Sequence, residues 1–270
     1  MAMPHPFFDG LVPTLHIAHR GGAALAPENT MAAFELAVGR YRTHMLELDV
    51  QRTRDGVWVV AHDDTVDRCT DGSGDVAALT LEEIQRLDAG HRFTADGGQS
   101  FPFRNQGVRI PTLREVLERF PQVRINVEVK RAPEGALASF ADELRAPEVL
   151  NRVCCGSEHD ALAAQLHALL PDACHFYPRE ALAEFVIAVK MGQEPPIDPR
   201  FTVLDMPLYF GEERLVDAAL LEAARRHGRW INVWTVDDPS EMRRLVAEGV
   251  GGVMTDRPDL LRSVLDERRS

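Results

Sequence analysis

Among the 270 residues no apolar run approaches the roughly 20 residues that a bilayer-spanning helix needs, so no integral membrane segment is expected. Positive charge is also short. Thirty Lys and Arg face 42 Asp and Glu, a net charge of −12. That balance disfavours nucleic acid or an anionic membrane surface as a general partner. A phosphate-bearing ligand would have to be held by a few local cations or by a metal. Cysteine is scarce: Cys69, Cys154, Cys155 and Cys174 have no zinc-type spacing, and adjacent Cys154 and Cys155 do not form the pattern of a disulfide framework. A reducing cytoplasm is the expected compartment. The opening MAMPHPFFDG has neither a basic start nor a long apolar core, so no secretory signal is expected. Internal repeats and low-complexity tails are absent as well.

What is present is a rhythm. Strand-length apolar runs occur at 14–19, 44–50, 123–130, 151–156, 173–177, 201–206, 230–236 and 251–256. Each leads, directly or after a loop, into a helix-like stretch, with starts near Thr30, Thr112, Gly135, His159, Arg179, Glu212, Pro239 and Pro258. Asp238-Pro239 with Glu241 is a good start signal, and Pro258 after Arg257 is another. Eight strand–helix units in a 45% apolar chain of this length are the count of a (β/α)8 TIM barrel, an α/β fold. A doubly wound open sheet is the alternative, but it rarely needs eight units. GVWVVAHD (56–63) reads as the return arm of a hairpin after the second strand. The Gly-rich piece 65–107 is long for a loop, so it is expected to be an inserted subdomain over the barrel mouth within a single domain spanning 1–270.

The chemistry-bearing residues fall at the carboxyl ends of these strands, where a barrel places its site. His19 and Arg20 end the first strand, inside LHIAHRGGAALAPENT. Glu47 and Asp49 end the second, two apart and so on one face. Glu128 and Lys130 repeat that spacing on the third, His62 closes the hairpin arm, and Trp234 and Asp256 lie near the last two strand ends. Three carboxylates in one mouth repel unless something lies between them. A hard divalent cation removes that cost, and oxygen-only ligands favour Mg2+, Ca2+ or Mn2+ over zinc. The plainer alternative has Glu47 and Asp49 as solvated charges and Glu128 paired with Lys130. Two histidines beside a metal suit proton transfer. Arg20 and Lys130 supply the positive charge that a phosphoryl group in transit requires. Trp234 is either barrel filler or part of the substrate site, and Cys154 and Cys155 read as core.

These residues resemble the glycerophosphodiester phosphodiesterases, a family of metal-dependent TIM-barrel enzymes. The likeness runs almost end to end, through AHRGG with PENT, ELDVQRTRDGVWVVAHDDTVDRCTDGSG, LDAG, IPTLREVL, NVEVK and VWTVDDPSEMRRLVAEGVGGVMTDRPDLL. It implies His19 and His62 as catalytic histidines, and Glu47, Asp49 and Glu128 as ligands of one divalent cation. It also implies Arg20 and Lys130 on the substrate side; Trp234 remains a substrate-site candidate from its place near a strand end. Departures are Cys69, where threonine is common, and Asp205, where many relatives carry glutamine; the second could alter the substrate pocket. The activity implied is hydrolysis of a small-molecule glycerophosphodiester to sn-glycerol 3-phosphate and an alcohol. A cyclic phosphate made by the neighbouring glycerol hydroxyl is a conceivable intermediate. A lysophospholipase D-type or cyclising phosphodiesterase would share every residue named, given an apolar surface to which Phe93, Phe101 and Phe103 could contribute. A metal-dependent barrel lyase could share the carboxylates but has less use for the two histidines and Arg20. Neither oligomeric state nor head-group preference is legible.

Overall fold

The computed structural model of the chain describes residues 5–268. Met1–Pro4, on which part of the leader reading falls, and the last two residues lie outside that range. The strands are β1 (Leu15–Ala18), β2 (Met45–Arg52), β3 (Trp58–Val60), β4 (Arg124–Val129), β5 (Val153–Gly156) and β6 (Cys174–His175). They continue with β7 (Val203–Pro207), β8 (Tyr209–Phe210), β9 (Glu213–Arg214), β10 (Trp230–Trp234) and β11 (Gly252–Thr255). The helices are α1 (Met31–Gly39), α2 (Leu81–Gln85), α3 (Leu113–Arg119), α4 (Leu137–Leu144) and α5 (Pro147–Leu150). After them come α6 (Asp160–Leu169), α7 (Arg179–Lys190), α8 (Ala218–Arg226), α9 (Pro239–Glu248) and α10 (Pro258–Glu267).

Eight strands lie side by side in the order β6-β5-β4-β2-β1-β11-β10-β7. Every neighbouring pair in that order is parallel. A parallel bridge between Phe176 and Val203 joins the two ends, so the sheet closes as a (β/α)8 barrel. Antiparallel β3 is the hairpin arm, pairing Val60 with Val50.

Period-two alternation sorts the side chains. Leu46, Leu48 and Val50 of β2, with Ile125, Val127 and Val129 of β4, pack outward on Phe34, Leu113, Phe140 and Leu166 of the surrounding helices. Leu204, Met206, Ile231 and Val233 do the same on the other half. The opposite parity points inward and changes character along the barrel. At the amino end it is apolar: Leu15, Ile17, Met45, Cys154, Cys174, Val203 and Trp230 form a floor, which Phe7 and Phe8 close from below. Phe8 lies 5.0 Å from Trp230, ring to ring, and Arg124 Nε donates to the Phe7 carbonyl at 2.6 Å. Further up the same parity carries Glu47, Asn126, Asp205 and Asn232, then Asp49, Glu128, Trp234 and Asp256.

One local feature differs from the sequence reading. The helix expected near Glu212 starts at Ala218, where Asp217 accepts from the Leu220 N–H at 2.9 Å. The preceding residues instead make the β8–β9 hairpin, with Gly211 at φ 59°. Residues 65–107 carry α2 and a small core of Val66, Val76, Ile84 and Ala89 that packs on Val59 and Ile110. Its aromatics are engaged within it: Phe93 meets Phe103 edge-on at 5.3 Å, and the Arg104 guanidinium lies 3.8 Å over Phe101.

Candidate active site

The chain leaves β1 through a tight turn that only glycine permits. A Cβ at Gly21 would come within 2.7 Å of the Ala33 Cβ, and Gly22, at φ 97°, would meet Pro258. The turn puts Arg20 at φ 49°, with its N–H donating to Glu47 Oε2 at 3.0 Å. Asn29, also left-handed at φ 57°, donates its backbone N–H to the Arg20 carbonyl at 2.9 Å and its Nδ2 to Asp49 Oδ2 at 3.0 Å. Thr30 then caps α1 by accepting from the Ala33 N–H. PENT is therefore more than a cap, because its Asn orients a carboxylate of the site.

Each histidine has its own carboxylate. His19 Nδ1 donates to Asp256 Oδ1 at 2.7 Å, and its Nε2 lies 3.9 Å from Glu47 Oε2. Burial pulls the His19 imidazolium down, but the Asp256 hydrogen bond and the Glu47 charge outweigh it, so its pKa stands above the ordinary value. His62 Nδ1 donates to Asp63 Oδ1 at 2.7 Å, and Gln51 Nε2 donates to the His62 carbonyl at 3.3 Å. Asp63 is pushed down to about 2, first by its hydrogen bonds from Arg68 and then by His62.

Between the histidines lies a carboxylate–cation cluster. Lys130 Nζ is 3.0 Å from Asp49 Oδ1 and 2.8 Å from Glu128 Oε2. Arg20 Nε is 3.4 Å from Asp49 Oδ2, and Arg20 Nη1 donates to Glu28 Oε1 at 3.1 Å. Burial would raise Asp49, but Lys130 and Arg20 overcome it and hold it below the usual carboxylate range. Glu47 goes the other way, raised by burial and by the neighbouring Asp49 charge, and burial also raises Glu128. One layer down, burial pushes Asp205 up to about 6, although Asn126 and Asn232 each donate an amide to it at 2.7 and 2.8 Å.

A hard cation suits this donor set on two grounds. The ligating atoms on offer are all carboxylate oxygens, and Glu128 Oε1 is buried with no hydrogen-bond partner. Among the described residues no three His, Cys, Asp or Glu side chains form a ready cage. Lys130 explains that, since its ammonium stands between two of the three carboxylates. The Glu128–Lys130 pair of the plainer reading is thus present, and it lies inside the cluster rather than outside it. Trp234 stands at the end of β10, beside Pro207 of β7, and is 42% exposed rather than barrel filler.

The structure brings His19, Arg20, Glu47, Asp49, His62, Glu128 and Lys130 to one end of the barrel. Sequence reasoning missed Glu28, Asn29, Asp63 and Arg68, and gave Asp256 a place without a role. Only adjacency marked them: Asp63 follows His62, and Glu28 and Asn29 lie inside PENT.

A closed eight-stranded barrel with two imidazole–carboxylate pairs about a carboxylate–cation cluster defines a class of barrel that handles charged substrates at its mouth. Residues 19–260 match the glycerophosphoryl diester phosphodiesterase family, and the chain belongs to it. A glycerophosphodiester phosphodiesterase of Caldanaerobacter subterraneus is 35% identical over 262 residues, 92% of this chain and 96% of that protein. A lysophospholipase D of Homo sapiens is 26% identical, covering 93% of this chain and 86% of its own length. An Oleispira antarctica phosphodiesterase, solved in complex with the product sn-glycerol-3-phosphate, has a TM-score of 0.72 and 25% identity, covering 94% of this chain and 97% of its own.

Proposed function

We propose that the protein hydrolyses glycerophosphodiesters to sn-glycerol 3-phosphate and an alcohol, with His19 and His62 exchanging protons with the reacting oxygens. The observation that carries this reading is the pairing of both imidazoles, through Nδ1, with carboxylates in a member of this family. Each pairing leaves Nε2 free for the substrate. One imidazole accepts the proton of the attacking glycerol hydroxyl and the other donates to the departing alcohol; water, activated in the same way, then opens the resulting cyclic phosphate to sn-glycerol 3-phosphate. Arg20 and Lys130 take phosphoryl oxygens, and Trp234 flanks the glycerol unit. Glu47, Asp49 and Glu128 would hold one divalent cation, Mg2+ or Ca2+ with Mn2+ also suitable. Once bound, that cation would offset their mutual repulsion and polarise a phosphoryl oxygen. The insertion at 65–107 would stand over the mouth, a placement supported by Arg68 reaching Asp63 and Glu28.

A second reading, lysophospholipase D-type cleavage, is favoured by exposed apolar surface where β7 and β10 end: Phe210 is 78% exposed, and Tyr209 and Trp234 are exposed beside it. A cytoplasmic setting fits the four free cysteines. Among the described residues no helix is long and apolar enough to cross a membrane.

Turnover of glycerophosphocholine, glycerophosphoethanolamine, lysophosphatidylcholine and an aryl phosphodiester, before and after chelation, tests both readings. Release of glycerol 3-phosphate that stops on chelation and returns with Mg2+, Ca2+ or Mn2+ is the expected outcome. Full activity in protein shown to be metal-free by elemental analysis would overturn the cation. A preference for the lysolipid over both soluble diesters would select the second reading.

A further inference from the structure

One insertion side chain grips the carboxylates behind both His62 and Arg20. Arg68 Nε donates to Asp63 Oδ2 at 2.6 Å, and its Nη2 donates to Asp63 Oδ1 at 3.1 Å. On the other edge of the same plane, Nη1 donates to Glu28 Oε2 at 2.6 Å and Nη2 to Glu28 Oε1 at 2.8 Å. Asp63 passes the contact to His62 Nδ1, and Glu28 passes it to Arg20 Nη1. A continuous hydrogen-bonded path therefore joins the two flanks of the site through a single guanidinium.

We propose that Arg68 is a positioning residue for turnover, setting the orientation of His62 through Asp63 and of Arg20 through Glu28. Its chemistry rests on the function proposed above; its geometry does not. Four of its five N–H donors are committed to the two carboxylates, which leaves little with which to bind a phosphate directly. Its side chain is 49% exposed, so solvent screens its ion pairs. What two bidentate forks supply is direction, since each fixes the plane of a carboxylate. An ammonium could neutralise the same charges but could not fix both planes. Asp63, held near the bottom of the carboxylate range, stays an acceptor at working pH and keeps the proton on His62 Nδ1.

The test compares Arg68→Met and Arg68→Lys with Asp63→Asn and with the double variant Arg68→Met/Asp63→Asn, using glycerophosphocholine. Arg86→Met, at an exposed insertion arginine paired with Glu82, is the control. Arg68→Met should lower kcat roughly 10- to 100-fold, the scale for losing an orienting partner, while its thermal midpoint stays near that of the parent. Arg68→Lys should recover only part of the loss. The double variant should cost little beyond the worse single change, because both act on one imidazole. The His62 ring resonances should move in Arg68→Met and not in Arg86→Met. Unchanged kcat, multiplicative losses, full rescue by lysine or unmoved His62 resonances would each overturn the proposal. If the parent protein cleaves none of the glycerophosphodiesters, the lysolipid or the aryl diester named above, the functional reading fails instead, and the His62 resonances still decide this one.

Discussion

At the scale of the residue, the site consists of side chains held in place by other side chains. His19 has Asp256 behind it and His62 has Asp63, so each ring is fixed by its Nδ1 hydrogen bond. His19→Ala and His62→Ala should each lower kcat by about 10²-fold or more, the usual scale for a lost acid or base. The double variant should lose far less than the product of the two. Steady-state kinetics checks this, with His167→Ala, a half-buried α6 residue packed on His175, as a control expected to keep full turnover. The residues proposed to do chemistry were legible because strand ends and period two marked them. The residues that hold them were not. Glu28 and Arg68 are charged loop residues, a type usually solvated, and nothing in their spacing reveals that 40 positions apart they share a fork. Lys130 was legible as positive charge but not as the ion between Asp49 and Glu128, because only the closed barrel brings the strand ends together.

At the scale of the element, each barrel strand was found, because alternation on a barrel strand is a two-sided constraint, whereas the short β8–β9 hairpin was not. Leu46, Leu48 and Val50 need helices outside, while Glu47 and Asp49 need polar company inside. Helix starts were legible where a cap and a proline coincide, as at Asp238-Pro239, where Asp238 accepts from the Ser240 and Glu241 N–H groups. The start near Glu212 misled, since an acidic pair resembles a first helical turn. Asp217, a good capping residue five positions later, was the better signal. Thr30 caps α1 and also donates its hydroxyl to the Pro27 carbonyl at 2.6 Å, bracing the turn that carries Asn29. Thr30→Ala should destabilise the protein by about 1 kcal/mol, read from the denaturant midpoint. Thr30→Ser should recover most of that.

At the scale of the whole molecule, closure decides between the barrel and the open sheet, and it rests on a short contact between Phe176 and Val203 that no local pattern announces. Closure also sets how the protein meets acid. Burial pushes His16 down to about 3, against the pull of its hydrogen bond to the Pro258 carbonyl, and pushes His175 down to about 4. Both folded values lie below the unfolded value of 6.5. As pH falls from 6.5, the unfolded chain binds protons that the fold refuses, so stability is lost steadily until the folded values are reached. These two imidazoles therefore contribute a drop in the thermal midpoint between pH 7 and pH 5, opposed by the buried Glu47 and Asp205 carboxyls, whose folded values of about 7 and about 6 lie above their ordinary ones. His16→Gln should flatten that drop, whatever it does to the midpoint at pH 7.

Among the described residues, the packed apolar floor and its Phe7–Phe8 closure shut the amino end of the barrel, which leaves the mouth as its doorway. Substrate, water, alcohol and phosphate product must all use the end where the histidines stand. Entry and exit are then one traffic problem, and a departing molecule blocks an arriving one. How fast the doorway clears is as much a property of this fold as how fast the bond breaks.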